Sequence, residues 1–253
     1  MNLVIFSLYS AVPRLDAHEI SAALNRRHKE HKFAASSDSN DILTIEVNDA
    51  SVIVMPIPHP IPGDHITGLD PFSRRGWDKA VSPEDHKAHA VVVGTGGDAK
   101  SVAVTLTIVA AELCRSEACL GIYWGASEVL AHKDFFVEAT AGVPVDTPVI
   151  SLLVNAHPYE TAEGIGLTTQ GLSTFIGRDL HFLPHTSHDL DEIFGRALNY
   201  SEYLYINGLI VKDGESLGYS ETDIYRARWS EERCEGGEIS KWIELRVESL
   251  NGS

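Results

Sequence analysis

A glycine-rich turn, two groups of histidines and a few close carboxylates are the residues of this sequence whose chemistry could amount to a site. Gly94-Thr95-Gly96-Gly97-Asp98 stands between an apolar β-type run and an apolar helical run, where backbone N–H groups and the positive end of a helix can hold a phosphate. A phosphate-binding loop also needs GxxxxGK[ST], and a dinucleotide fingerprint needs a third glycine where this chain has Ala99. Only Lys100, one turn into the helix, is cationic there, so the motif reads as a tight turn whose Asp98 caps the helix. Among 12 histidines, His86 and His89 stand three apart, and His181, His185 and His188 gather around a strand and a helix start. Zinc sites are built from such residues when further ligands converge. No HExxH or CxxC accompanies them, and positions three apart in a strand point to opposite faces. They read as polar or capping histidines, and no metal or cofactor is expected.

Nucleophile patterns are equally incomplete. Gly125-Ala126-Ser127 lacks the GxSxG elbow, and no cysteine has an evident histidine partner. Glu231-Glu232 reads as a solvated turn, and Asp189 with Asp191 as a helix N-terminus, where negative charge is favourable. Tyr123-Trp124-Gly125 ends a buried β-type run with two aromatics beside a glycine. It is expected at the same sheet edge as the Gly94 turn, and ligands of open α/β sheets bind at the carboxyl ends of strands. Packing at the rim of the core is the competing reading. If this edge takes a ligand, the residues are Asp64, His65, Trp77, His86, His89, Gly96, Asp98, Tyr123 and Trp124.

The elements that would position them follow from periodicity. Residues 3–8 are β-prone, and Asp16 to Glu19 offers a capping box before a helix carrying Ile20, Ala23 and Leu24. Residues 42–47 alternate with Leu43, Ile45 and Val47 on one face, then pair back through Asn48-Asp49 with residues 52–55 as a hairpin. From Pro56 to Pro83 the pattern dissolves into a proline-rich stretch, read as a functional loop or a rigid crossover strap. A strand over 89–93, a helix over 101–114 with apolar residues on every face, and a strand over 120–124 make a βαβ unit. Its two strands should be parallel or flank one inserted between them. The second half predicts strands over 149–154, 166–169 and 180–183, an amphipathic helix capped by Asp189 and ended by Gly208, two strands around Lys212-Asp213-Gly214-Glu215, and a last strand over 242–247. The fold class is therefore α+β, a mixed α/β arrangement of helices layered on mixed sheets, with two βαβ-containing halves as one version of it. Pro144 and Pro148 suggest a boundary giving halves 1–145 and 146–253, unless the two form one compact unit.

Bulk composition excludes more than it selects. At 253 residues with 43% hydrophobic and 22% charged content the chain can bury a full core without staples. No apolar run approaches the roughly 18 residues that cross a bilayer, and the start lacks a signal-peptide pattern, so a cytoplasmic location is expected. Cys114, Cys119 and Cys234 read as free thiols in a reducing compartment. Against 20 Lys and Arg stand 36 Asp and Glu, a net charge of −16, which repels nucleic acid and anionic membranes and serves either plain solubility, the reading ranked first, or encounter with a basic protein.

The ordered series Pro62-Gly63-Asp64, Trp77, His86-Lys87-Ala88-His89, Gly121-Ile122-Tyr123-Trp124-Gly125, Thr169-Gln170-Gly171-Leu172 and Lys212 through Ser220 resembles a bacterial family catalogued as domain of unknown function 4261. That likeness is expected to cover most of the chain and carries no activity to particular residues. The second half is also similar to suppressor-of-fused-type domains, which resemble toxin-neutralising immunity proteins and partner-binding modules. The resemblance implies binding rather than catalysis. The expectation is a non-enzymatic acidic protein that binds a basic partner, an immunity or accessory factor of a toxin or secretion system. The rival expectation is an enzyme or small-ligand binder using the rim near the Gly94 turn and Tyr123, with His86 or His89 as acid/base or metal ligand.

Overall fold

A computed structural model describes residues 2–38, 41–77, 82–141, 148–220, 223–233 and 239–247. Cys234 and Pro144, singled out above, lie outside these residues. The chain divides into two units, Met1–Leu153 and Val154–Ser253, and α+β architecture holds in both.

In unit 1 the elements run β1 (Leu3–Tyr9), α1 (Ala17–Arg27), β2 (Ala34–Ser37), β3 (Leu43–Val47), β4 (Ala50–Ile57), α2 (Asp64–Thr67), β5 (Arg74–Arg75), β6 (Ala88–Gly96), α3 (Ala99–Leu113), β7 (Cys119–Trp124), β8 (Val129–His132), α4 (Lys133–Thr140) and α5 (Ile150–Leu153). They form one eight-stranded sheet in the order β2-β3-β4-β6-β1-β7-β8-β5. The N-terminal strand β1 lies antiparallel to both β6 and β7, so the strands joined by α3 run parallel with one strand inserted, as the sequence suggests. Leu43, Ile45 and Val47 are all buried, the alternation expected of β3. Helix α3 is exposed only at Ser101, and its Val102, Leu106 and Val109 pack on the sheet. Gly94 permits that approach, because a Cβ there would lie 2.6 Å from Val102 Cγ1.

The proline stretch begins inside a strand. Pro56 belongs to β4 and sits opposite Ala90 of β6. β3 pairs no further along β4 than Val54, so at Pro56 the strand has a neighbour on one side only, and a residue without an N–H is tolerated. Residues 149–154 are not a strand: Ile150–Leu153 is a helical turn, closed by Leu152 N donating to Val149 O at 2.9 Å. A short apolar run cannot be told from a buried helical turn by periodicity. The short strands β2 and β8 and helix α4 lack a strong period and are absent from the sequence expectations.

Unit 2 runs β9 (Asn155–Thr161), β10 (Gly164–Gln170), α6 (Ser173–Ile176), β11 (Asp179–His185), α7 (Leu190–Asn207), β12 (Ser216–Ser220), β13 (Asp223–Arg233) and β14 (Ile239–Val247). The sheet order is β12-β13-β14-β11-β10-β9, with β11 and β14 parallel and the other pairs antiparallel. Asp189 caps α7 by accepting from Asp191 N and Glu192 N, and Gly208 ends it. The helix lies on one face of the sheet, where Phe182 stacks on Tyr200 at 6.0 Å and Tyr225 meets Phe182 edge-on at 5.3 Å. Only the segment after Lys212-Asp213-Gly214-Glu215 is a strand. The segment before it turns tightly through Gly208, with Ile210 N donating to Gly208 O, which leaves no extended backbone to pair. β9 and β13 were not expected, although β13 is the longest strand described.

Candidate functional site

The proline stretch of unit 1 is a strap tied to the sheet by histidines. His86, buried at the end of the one-turn helix Pro83–Asp85, takes an N–H from Ile61 on Nε2 at 2.8 Å. Its Nδ1 must then carry the proton, which it donates to Pro83 O at 2.7 Å. Burial, the largest cause, holds its pKa below the ordinary histidine value, consistent with a neutral ring serving as donor and acceptor at once. His89, on β6, donates from Nδ1 to His59 O at 2.7 Å. Arg74 adds an ion pair to Glu84 at 2.9 Å and a hydrogen bond to Ile66 O. Under the strap Leu8, Ile61, Ile66, Tyr123 and Leu130 form a core cluster against which Phe6 and Trp77 pack.

The candidate residues of unit 1 fall into two groups. Trp77, His86, His89 and Tyr123 gather at the strap: Phe6 lies 6.0 Å from the His89 ring and 5.9 Å from Tyr123, and Trp77 meets His132 edge-on at 5.1 Å. Tyr123 is buried, which raises its pKa, and Trp124 is buried on the sheet. Asp64 opens the short helix α2, in which His65 is exposed. Gly96 and Asp98 lie at the far end of β6, about 20 Å from His89 at some 3.3 Å per strand residue. There Gly96 has φ +84°, and a Cβ on it would lie 2.3 Å from Asp49 O. The Asp98 carboxylate accepts from Lys100 N at 2.9 Å and Ser101 N at 3.1 Å, bonds that hold its pKa below the usual range. The N-terminus of α3 thus already faces a carboxylate of its own chain. Among the described residues, no three His, Cys, Asp or Glu side chains are grouped to hold a metal ion.

Unit 2 turns its distinctive side chains outward. Tyr203, Ile206 and Ile210, at and just beyond the end of α7, are exposed, as are Trp229 at 38% and Ile239. Trp229 is nevertheless fixed. Its ring lies 4.4 Å from the Arg178 guanidinium carbon, its Nε1 donates to Val211 O at 3.2 Å, and its backbone N donates to Asp213 Oδ1 at 2.8 Å. Arg178 is itself anchored by Ser230 O, Trp242 O and Glu231. Trp229 is thereby tied to the segment just after Ile210, and the exposed Tyr203, Ile206 and Ile210 together with Trp229 make up what we term the ridge. Glu231, two residues along the strand from Trp229, is exposed and pairs with Arg178 and Lys241. Sequence reasoning missed this ridge because it missed β13, whose alternation Tyr225, Ala227, Trp229 was the available signal.

The sequence motifs of this unit acquire physical roles. Thr169 Oγ1 accepts from Leu180 N at 2.8 Å, and Asp179 Oδ1 accepts from Leu172 N at 2.9 Å. Burial raises the pKa of Asp179 in spite of those bonds. In Lys212-Asp213-Gly214-Glu215, Asp213 holds Trp229 while Gly214, at φ +82°, donates to Ala227 O. His188 works as His86 does: Nδ1 donates to Ile165 O at 2.7 Å, and Nε2 faces the Tyr225 hydroxyl at 3.3 Å. On the face away from α7, Tyr159 hydrogen-bonds His181 at 2.6 Å.

Unit 2 is thus a mixed β-sheet covered on one face by a long helix, with an apolar ridge at the helix end. Within it, residues 168–242 match the family model described as Domain of unknown function (DUF4261). The match takes in the Thr169 and Lys212 motifs and not the first-half ones, so the likeness covers a minority of the chain rather than most of it. No curated protein and no solved structure matches the chain.

Proposed function

We propose that this protein acts by binding a basic protein partner, with the ridge of Tyr203, Ile206, Ile210 and Trp229 as the centre of the contact. The observation that carries the proposal is the exposed but immobilised Trp229. A large aromatic left in water loses the benefit of burial, about 25 cal/mol per Å² of apolar surface. Clamping it by a stacked guanidinium and two hydrogen bonds removes in advance the ordering cost of docking. A fixed Trp stacked on an anchored Arg is the composition of interface hot spots. The net charge of −16 favours a cationic surface and speeds its encounter. An immunity or accessory factor that neutralises a basic toxin or secreted effector is the role these features fit.

The test is capture from the native host on immobilised protein, at low and high salt, with wild type and the Ile206→Ser/Trp229→Ala double variant. A basic protein retained by the wild type, weakened by salt and lost by roughly 100-fold in affinity with the double variant is expected, from about 2 kcal/mol or more at a hot spot. Equal capture by both proteins, or capture of no basic protein, overturns the proposal.

A further inference from the structure

On the opposite face of β13 a second surface has the reverse charge. By register Arg226 stands directly opposite Arg246, and Arg228 opposite Glu244. Leu183 of β11, Asp213 and Gly214 complete a cleft of about 330 Å³ around them. That lies at the lower end of small-ligand pockets, about 300–1,000 Å³. Like charges directly opposite on adjacent strands destabilise a sheet, and this chain, with its surplus of carboxylates, has placed two arginines there. Arg226 donates to Gly214 O at 2.7 Å, which fixes it on the wall of the cleft. Neither Arg228 nor Arg246 has an ion-pair partner among the described residues. Two acids also line the cleft: Asp213 accepts from the backbone of Trp229, and Glu244 stands opposite Arg228 without an ion pair to it among the described residues.

We infer that this cleft binds an oxyanion of a small ligand, a phosphoryl or carboxylate group, held by Arg228 and Arg246 with Arg226 behind them. The guanidinium is the side chain suited to it, because its planar fork meets such groups with two parallel hydrogen bonds. The net charge of −16 opposes any anion at long range, but that repulsion is screened beyond about 8 Å at physiological salt, whereas arginines lining the cleft act at contact. Asp213 borders both surfaces, but Arg228 and Arg246 are not part of the Trp229 ridge, so failure of either reading leaves the other standing.

The experiment is calorimetric titration and thermal melting at about 150 mM salt with pyrophosphate and, separately, citrate, on wild type, R228Q and R246Q. Binding of one or both anions to the wild type is expected, with a dissociation constant raised tenfold or more in each variant. The two arms tell phosphoryl from carboxylate. Without ligand, R246Q is expected to melt no lower than wild type, since it removes an arginine facing an arginine. If neither anion binds, or both variants bind as the wild type does, the inference is overturned. Both arginines are exposed, so the folded variants are available to decide it.

Discussion

In unit 1 the aromatics and histidines of the sheet face sit beneath a strap: Phe6 stacks on Tyr123, and His86 and His89 hold residues 59–61 and 83 by their backbones. In unit 2 the equivalent resources stand at the surface, where Trp229 rests on Arg178 and arginines line the reverse side of the same strand. Both units contain a neutral histidine bridging two partners, His86 in one and His188 in the other, so similar residue types do internal work in each. What differs is which large side chains are left over. In unit 1 Phe6, Trp77 and Tyr123 pack beneath the proline strap, although Val12 and Phe72 stay exposed, and in unit 2 no such segment covers the end of α7 among the described residues. Internal partners bury the candidates of unit 1, whereas in unit 2 they hold Trp229 in place while leaving it exposed.

The sharpest way to break this contrast is to truncate one apolar side chain on each side of it. Leu106→Ala, at a fully buried position under the sheet of unit 1, is expected to cost about 2–5 kcal/mol of unfolding free energy. Ile206→Ala, 57% exposed in unit 2, is expected to change it by about 0.5 kcal/mol at most. Denaturant unfolding of both variants measures this, and a large loss from Ile206→Ala would mean that the ridge serves stability.

The histidine bridges come next. His86→Ala leaves the Ile61 N–H and the Pro83 carbonyl without their partner and is expected to cost about 1–3 kcal/mol for a buried group left unsatisfied. His188→Ala, at its bridge to Ile165 and Tyr225, is expected to fall in the same range. Burial lowers the pKa of both rings in the folded state. The unfolded chain therefore binds the proton more readily, and the stability each ring contributes is present above the ordinary value of about 6.5 and lost as pH falls below it. Unfolding free energies at about pH 7.5 and about pH 5.5 should differ less in either variant than in the wild type.

The smallest effect tests the equivalence of the two units rather than their difference. Asp98→Ala and Asp189→Ala each remove a carboxylate that accepts two backbone N–H groups at a helix start, and each is expected to cost about 1 kcal/mol. A cost at Asp98 well below that at Asp189 would indicate that the N-terminus of α3 is not served by its cap, and would reopen the Gly94 turn as a ligand site.

Strongly periodic elements were legible in the sequence. β1, the β3–β4 hairpin, β6, α3, β7 and α7 announce themselves by alternation, apolar runs or caps, because burial on one face imposes the period. β13 was not, because charged residues fill one of its faces and Trp229 on the other stays exposed, although its partner β14 is the next strand in sequence. The contacts of the candidate residues were equally hidden. Nothing in the spacing of His86 and His89 shows that Ile61, Pro83 and His59 will claim their ring nitrogens, since those partners come from a strap of loops, single helical turns and a two-residue strand. The ridge was illegible for a related reason, because an apolar residue reads as core until the fold leaves it outside.

The outermost strands of both sheets are short or interrupted. β5 has two residues and β2 four, while β9 carries Pro158 and β12 has five. Such edges are poor templates for an incoming backbone, so copies of this chain gain little by zipping edge to edge into fibrils. The exposed apolar side chains of unit 2 are therefore not accompanied by a long open strand that would lead an incoming chain to extend the sheet.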